Sequence, residues 1–243
     1  MRVPSASQLL EVWERGLAQP SVQRALLLLA VACPEKSPDD LARLSVGQRD
    51  ALLLTLREWT FGTQLDGVTS CPQCSEGLEL TFNVADVRAT PQVEPDEWLT
   101  LNAAGYQVQF RLPNSLDLTV ADSQAVTSAQ RALVERCVLS AHQNGEERSA
   151  DQLPEQVVMA MQERMSQADP QALVQLNVTC PACGHPWQAE FDIGSYFWAE
   201  VNAFALRSLQ QVHTLALAYG WSEADILAMS PWRRQIYLEM LGE

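Results

Sequence analysis

Apolar positions in the first sixty residues follow a helical period. Leu10, Trp13 and Leu17 recur at intervals of three and four, which places them on one face of an α-helix. Ser5 and Gln8 have the spacing of a capping box and mark the start of that helix. Further helices are predicted to start at Ser21, Ser37 and Ser45, the last of them ending near Phe61-Gly62.

Between Leu65 and Pro113 the apolar period changes to two, the mark of a half-buried strand. Ala103-Ala104-Gly105 is predicted to turn the chain between two of the strands. The alternating apolar residues are Leu78, Leu80, Phe82 and Val84 in one segment and Tyr106, Val108, Phe110 and Leu112 in another.

The helical period returns from about Ser123 to Asp169. It predicts one helix from the Ser123 region towards His142 and a second over Pro154 to Gln167, with a polar break at residues 144–147. Strand alternation then resumes around Val174 and again from Trp187.

The last fifty residues are predicted to be helical. An apolar stripe steps by three and four from Trp198 to Tyr219, and Gly220 is well placed to end that helix. Ser222 and Ser230 then start two short helices. Trp221 and Ile226 have the spacing of a hydrophobic staple, and Pro231 opens the final helix.

Composition describes a globular chain with an acidic surface. The 243 residues are 47% hydrophobic and 19% charged, with a formal net charge of −14. That balance argues against binding to nucleic acid or to anionic lipid, because both need a basic face. The longest apolar run, Ala25 to Cys33, is too short to span a membrane, and the N-terminus turns polar too early for a signal peptide. A cytoplasmic, reducing compartment is therefore expected.

Two CPxC motifs, one beginning at Cys71 and the other at Cys180, are each followed by an alternating strand. At the same offset Phe82 aligns with Phe191 and Asn83 with Asp192, so the similarity extends beyond the cysteines. Two such knuckles supply four thiolates, a tetrahedral set that suits one structural Zn²⁺. We expect both strands to lie in one small sheet with approximate two-fold symmetry. The predicted ligands are Cys71, Cys74, Cys180 and Cys183.

Other interpretations of the cysteines remain open. A rubredoxin-like iron site has the same ligands, and a dithiol redox pair or unrelated buried cysteines are further alternatives. His185 adjoins the second knuckle. Its possible roles are an extra metal ligand, a hydrogen-bond donor to one of the ligands, or a solvent-facing residue. Cys33 and Cys137 lie in apolar helical segments and are expected to be core thiols.

The fold class that these patterns predict is α+β. The chain is expected to be mostly helical, with a small antiparallel zinc-ribbon sheet split by a helical insertion. Three domains are predicted: an N-terminal helical domain at 1–62, the ribbon with its insertion (about 121–170) at 63–194, and C-terminal helices at 195–243.

No catalytic motif is found in the sequence. Four thiolates would close the coordination shell of a zinc ion, whereas a catalytic zinc keeps an open position. The deaminase pattern, nucleophile elbow, P-loop and metalloprotease motif are absent. Acidic clusters such as Glu94-Asp96-Glu97 and Glu146-Glu147 are typical of solvated loops. The protein is therefore not expected to be an enzyme.

Aromatic and arginine residues are concentrated near the C-terminus. This combination is typical of interface hot spots. Arginine beside an aromatic ring can stack on it and also pair with carboxylates. The predicted partner-binding residues are Trp232, Arg233, Arg234 and Tyr237.

The C-terminal run VHTLALAYGWSEADILAMSPWRRQIYLEML, from Val212 to Leu241, resembles the ending of baseplate and tail-assembly proteins of contractile phage tails and phage-tail-like injection systems. Residues FRLPNSLDL from Phe110, the helix with Arg136-Cys137, and FDIGSYFWAEV from Phe191 resemble the zinc-ribbon branch of that group. The resemblance covers the chain from about Ala104 to its end and is most specific from Cys180 onward. In the tail it rests on Tyr219, Trp221, Ser222, Asp225, Ile226, Leu227, Pro231, Arg233, Arg234, Tyr237 and Leu238.

The resemblance implies a structural or assembly component of a baseplate, with other baseplate or tail proteins as partners. It implies assembly in the cytoplasm and a place in a phage-tail-like particle. One alternative is an assembly chaperone that is absent from the finished particle. A zinc-dependent enzyme and a zinc-ribbon transcription factor are less favoured, the first because of the closed metal site and the second because of the negative charge.

Overall fold

The computed structural model describes residues 1–89, 98–121 and 126–242. The helices are α1 (Ala6–Gly16), α2 (Ser21–Ala32), α3 (Pro38–Arg43), α4 (Val46–Phe61), α5 (Val84–Val87), α6 (Ser115–Ala121), α7 (Val126–Cys137), α8 (Glu155–Ala168), α9 (Ile193–Tyr219), α10 (Glu223–Ala228) and α11 (Pro231–Met240). The strands are β1 (Gln64–Ser70), β2 (Gly77–Asn83), β3 (Leu99–Ala103), β4 (Tyr106–Phe110), β5 (Val138–Gln143), β6 (Glu146–Glu147), β7 (Val174–Thr179) and β8 (Pro186–Phe191). The α+β class is confirmed.

The chain forms two compact units. One joins Met1–Glu35 with Gly194–Glu243, and the other is Lys36–Ile193. Helices α1 and α2 therefore group with the C-terminal helices, whereas the sequence analysis placed them with residues 36–62.

Polar caps define the helix starts that the sequence predicts. Ser5, Ser37 and Ser45 each accept a hydrogen bond from the backbone N–H three residues on, and the side chain of that third residue bonds back to complete the box. At the other end of the chain, α9 stops at Gly220, which adopts the left-handed conformation at φ 68°. Ser222 then caps α10.

The helical unit is held by contacts between its N-terminal and C-terminal segments. The indole N–H of Trp13 donates to Asn202 Oδ1 at 2.8 Å, and the guanidinium of Arg24 stacks over Trp198 at 4.9 Å. Near the C-terminus a smaller core forms between α9, α10 and α11. It consists of Val212, Leu215, Ile226 and Leu238, with Ala216, Trp221, Leu227 and Tyr237 at its edge.

The other unit contains three antiparallel sheets in the described part of the chain: hairpin β1-β2, the four-stranded sheet β3-β4-β5-β6, and hairpin β7-β8. The expectation of one sheet for both knuckle strands is therefore wrong, because each strand pairs with the strand before its own knuckle. Leu65 lies opposite Phe82, and Val174 lies opposite Phe191.

The segment between the two hairpins is not purely helical. Ala104 and Gly105, both at positive φ, form the predicted turn between β3 and β4. The predicted helix towards His142 ends at Cys137, and β5 follows, with Ala141 opposite Val108. The helix prediction extended too far because the apolar residues continue at helical positions: Cys137, Val138 and Ala141 follow Val134 by three, four and seven residues. Val138 and Ala141 nevertheless lie in the strand. The four-stranded sheet shares one core with α7 and α8.

Buried polar contacts fix the second hairpin beside the segment that follows the first. The amide of Gln171 donates to Val87 O at 3.1 Å and accepts from Ala89 N at 2.7 Å. Asp169 Oδ2 accepts a 2.9 Å bond from Gly47 N, in the first turn of α4. The entry to β7 is thus tied both to α4 and to the chain after α5.

Two sequence predictions fall outside the described residues: the acidic cluster Glu94-Asp96-Glu97 and the helix start near Ser123. Among the described helices, none is both long and apolar enough to cross a membrane.

Candidate metal centre

Each CPxC motif forms the same turn between the strands of its hairpin. In the first turn the backbone N–H of Cys71 donates to Glu76 O at 2.9 Å, and Ser75 N donates to Cys71 O at 2.9 Å. In the second, Cys180 N donates to His185 O at 3.0 Å, and Gly184 N donates to Cys180 O at 2.9 Å. Ser75 and Gly184 both adopt left-handed backbone, at φ 61° and 74°. The two knuckles are therefore structurally equivalent, residue for residue.

The two turns bring the four predicted cysteines together. Their Sγ atoms all lie within 4.8 Å of one another, and no other residue joins this group of possible ligands in the part of the chain that the structure describes. Cys71 Sγ lies 3.7 Å from Cys183 Sγ, and Cys74 Sγ lies 3.6 Å from Cys180 Sγ. A tetrahedron with Zn–S bonds of about 2.3 Å has sulfur–sulfur edges of about 3.8 Å. The spacing fits one four-sulfur ion.

Solvent exposure alternates within each knuckle. The first cysteine of each motif is buried: Cys71 is 2% exposed and Cys180 is 1% exposed. The second cysteines, Cys74 and Cys183, are exposed. The metal position is thus lined on one side by the hairpins and open to solvent on the other.

The thiols differ in acidity. Burial raises the pKa of Cys71, but the backbone N–H groups of Cys74 and Gln73 outweigh it and bring this pKa to about 7. The Glu76 N–H lowers the pKa of Cys74, but the neighbouring Cys183 thiol and burial raise it to about 12. Cys71 is therefore the more acidic of these two thiols, and binding of a metal ion would displace the proton from Cys74.

The hairpins touch through a small apolar cluster below the sulfurs. Leu78 and Val178 are buried with the two inner cysteines, and Trp187 packs against them. Farther from the knuckles, Phe82 contacts Phe191 with ring centroids 5.5 Å apart. This apolar cluster is small for two hairpins that pack face to face, so it contributes little stabilisation. A bound metal ion would stabilise the contact between the hairpins further.

Three other residues considered in the sequence, His185, Cys33 and Cys137, are not part of the group of possible metal ligands. The imidazole of His185 stacks in parallel with Trp187 at 6.4 Å, and this histidine takes part in the knuckle through its backbone oxygen. Cys33 and Cys137 are buried, at 1% and 0% exposure. Burial raises the pKa of Cys137 to about 12, which makes it an unreactive core thiol.

The predicted partner-binding residues divide into two kinds of environment. Trp232 is 76% exposed and Arg233 is also exposed, its guanidinium 5.8 Å from the ring of Tyr237. Arg234 is only 2% exposed and donates to Met229 O at 2.9 Å, so it closes the loop between α10 and α11. Tyr237 packs edge-on against Trp221 at 4.8 Å.

In the sequence, only each knuckle and the strand that follows it were recognised as repeated. The strand that precedes each knuckle was not. Strands β1 and β7 are related by the same offset as the knuckles, with Leu65 matching Val174 and Thr69 matching Val178. These positions share an inward-facing pattern rather than residue identity. In β1 the inward positions after Leu65 are Gly67 and Thr69, and Val68 is exposed, so apolar alternation gave no signal of this half of the repeat.

Comparison with known proteins identifies a phage family. The family model described as "T4 bacteriophage base plate protein" matches residues 8–198, which is most of the chain. The match includes the N-terminal helices, which lie outside the resemblance seen in the sequence. It ends before the C-terminal run on which that resemblance chiefly rested. No curated protein and no solved structure matches the chain. The chain belongs to the T4 bacteriophage base plate protein family.

Proposed function

We propose that the protein is a structural or assembly component of the baseplate of a contractile phage-tail-like particle, in which a single Zn²⁺ staples its two hairpins. The family match over residues 8–198 is the observation that supports the baseplate role. The approach of four sulfurs from two symmetric knuckles supports the staple. The partners would be other baseplate or tail proteins.

Zinc in this position would act on folding rather than on a substrate. Four thiolates leave no open coordination position for a reacting group. The ion would join two hairpins whose shared core is small, and its binding free energy would become folding free energy. The hairpins would then hold the inserted four-stranded sheet and its helices in place for neighbouring subunits.

Metal analysis of the purified protein tests the staple. We expect one zinc per chain, and we expect Cys71→Ser with Cys180→Ser to abolish it. Cys33→Ala is the matched control, because it removes a buried thiol outside the cluster. Half an equivalent of zinc, an iron spectrum, or full zinc retention in the double variant would contradict the shared zinc site. A strong chelator should also lower the melting temperature of the wild type markedly.

An assembly chaperone is the second candidate function. Residues 36–193 carry 10 basic and 22 acidic side chains, a net charge of −12, whereas the helical unit is nearly neutral. Such a surface suits the masking of a basic partner until assembly. Mass spectrometry of purified particles separates the two functions: a component is present in stoichiometric amounts, whereas a chaperone is present only in assembly intermediates.

A further inference from the structure

Within the group of four cysteines, two sulfur–sulfur contacts join one hairpin to the other. Cys71 of the first knuckle lies 3.7 Å from Cys183 of the second, and Cys74 lies 3.6 Å from Cys180. Each pair combines one buried sulfur with one exposed sulfur. Solvent therefore reaches the exposed cysteine of each pair more readily than the buried one.

We propose that hydrogen peroxide converts this site into two disulfides that cross between the hairpins, Cys71–Cys183 and Cys74–Cys180, with release of the metal ion. The inference rests on the proposed function, because a particle that is assembled in a reducing cell meets oxidants once it is outside. The crossed disulfides would then keep the hairpins joined without zinc.

The chemistry needs two equivalents of peroxide per chain. In each pair the exposed thiolate attacks one peroxide oxygen, the O–O bond breaks, and a sulfenic acid forms as hydroxide leaves and takes up a proton. The buried thiolate of the same pair then attacks that sulfur, the S–S bond forms, and a second hydroxide leaves as water. Two disulfides therefore remove four electrons from four thiolates, and two peroxide molecules become four water molecules as Zn²⁺ departs.

The geometry favours crossed pairs over pairs within a knuckle. A disulfide requires the sulfurs to approach from 3.6 or 3.7 Å to about 2.05 Å. Between the hairpins, this approach leaves the hydrogen bonds of both turns in place, because those bonds lie within each knuckle. Within a knuckle, the backbone is fixed by the Ser75–Cys71 and Cys71–Glu76 hydrogen bonds, so closure would distort a formed turn. A crossed disulfide also closes a far longer loop than one within a CPxC motif, and a longer loop constrains the unfolded chain more.

The test oxidises the full-length zinc-loaded protein with two equivalents of hydrogen peroxide and maps its disulfides by mass spectrometry. We expect the thiols that N-ethylmaleimide labels under denaturing conditions to fall from six to two, the latter being Cys33 and Cys137. Peptides should be linked as Cys71–Cys183 and Cys74–Cys180. The melting temperature of the oxidised protein should no longer respond to a chelator. Disulfides within the CPxC motifs, or sulfinic and sulfonic acids in their place, would overturn the proposal.

Matched variants and the zinc assay distinguish this inference from the zinc staple. Cys71→Ser with Cys183→Ser keeps one crossed pair, whereas Cys180→Ser with Cys183→Ser keeps one pair within a knuckle. In a glutathione redox buffer the crossed pair should form its disulfide with an equilibrium constant at least about tenfold larger, and an equal or smaller constant would count against the proposal. Zinc content is measured before oxidation. Crossed disulfides in a protein without zinc would refute the staple alone, and a zinc protein that forms no crossed disulfide would refute this inference alone.

Discussion

Phe82 and Phe191 pack edge to face, with ring centroids 5.5 Å apart and ring planes at 89°. The two rings are separated in sequence by the same offset that relates Cys71 to Cys180. The two repeats therefore meet at both ends of the paired hairpins: the cysteines of the two knuckles at one end, and the equivalent rings of Phe82 and Phe191 at the other.

A double-mutant cycle should detect this contact. Edge-to-face aromatic pairs contribute about 0.5–1.5 kcal/mol beyond area burial, so Phe82→Leu and Phe191→Leu should be coupled by that amount in the free energy of unfolding. Denaturant titrations of the four proteins at saturating zinc measure the coupling. Phe110→Leu, in the core of the four-stranded sheet, serves with Phe191→Leu as a control pair. Strict additivity of the Phe82 and Phe191 effects would contradict the paired-hairpin arrangement.

The sequence predicted the elements whose causes are local. Ser5, Ser37 and Ser45 start helices because each hydroxyl accepts a hydrogen bond from the backbone N–H three residues later, which has no partner within the helix. This interaction is local and does not depend on the tertiary structure. The convergence of the four cysteines was also predictable, because the repeated knuckles require it if they bind one ion.

Features that depend on a distant segment could not be predicted. Strand β5 forms because β4 offers an open edge, and the helical spacing of its apolar residues gave no warning of this. Arg234 looked like an exposed interface arginine beside Trp232, yet its guanidinium is buried where it bonds to the carbonyl of Met229 and the side chain of Gln211. Side-chain direction in a short helix depends on the neighbours that the helix packs against.

Equivalent turn positions carry different residues, and this difference predicts opposite effects of substitution. Ser75 holds a left-handed conformation at φ 61°, which costs a residue with a Cβ about 1 kcal/mol, whereas Gly184 adopts φ 74° without that cost. Ser75→Gly should therefore be neutral or stabilising, and Gly184→Ser should destabilise by about 1 kcal/mol. Thermal unfolding of the zinc-loaded proteins measures both changes. A loss of stability in Ser75→Gly larger than that in Gly184→Ser would contradict the equivalence of the turns.

At Gly47, α4 packs closely against the segment before β7. A Cβ at this position would clash with Asp169 Oδ1 and would lie 2.9 Å from the backbone N of Ala172. Gly47→Ala should therefore destabilise by about 2 kcal/mol, because it displaces Asp169 from its hydrogen bond with Gly47 N. In Gly67→Ala, the matched control, the new methyl group meets no atom within 4 Å. Equal unfolding free energies for the two variants would rule out this close packing.

The buried carboxyl of Asp50 should make stability depend on pH. Burial raises the pKa of Asp50 from 3.8 to about 6; Arg49 opposes the rise, and the charges of Asp192 and Asp169 add to it. The folded state therefore binds the Asp50 proton more tightly than the unfolded state does. The stabilisation that this proton gives the folded state is complete below 3.8, the pKa of Asp50 in the unfolded chain, and is lost as pH rises through about 6. Asp50→Asn cannot titrate. Relative to this variant, the wild type should lose about 1.5 kcal/mol between about pH 5 and pH 7.5.

The pH effect is measured as the difference in unfolding free energy between wild type and Asp50→Asn. Both proteins keep the four cysteines, so the proton dependence of the metal site cancels in that difference. Asp66→Asn is the control: hydrogen bonds from Thr81 and Gln64 lower the pKa of the exposed Asp66 carboxyl, which stays ionised over this range. A difference that is constant with pH, or that grows in favour of the wild type as pH rises, would show that Asp50 is not held in a protonated form.

Trp232 and Arg233 should contribute to partner binding without contributing to the fold. Trp232 is 76% exposed at the second position of α11, which begins at Pro231, and Arg233 lies beside it. Replacing both with alanine should weaken assembly into particles by about 2 kcal/mol, roughly thirtyfold in affinity, because an aromatic–arginine pair is typical of a hot spot. Zinc content and melting temperature should stay at the wild-type values. Arg234→Ala is the contrasting variant: it should lower the melting temperature, because Arg234 is buried and donates to three backbone carbonyls. Normal assembly of the Trp232 and Arg233 double variant, measured by its incorporation into purified particles or assembly intermediates, would remove this surface from the interface.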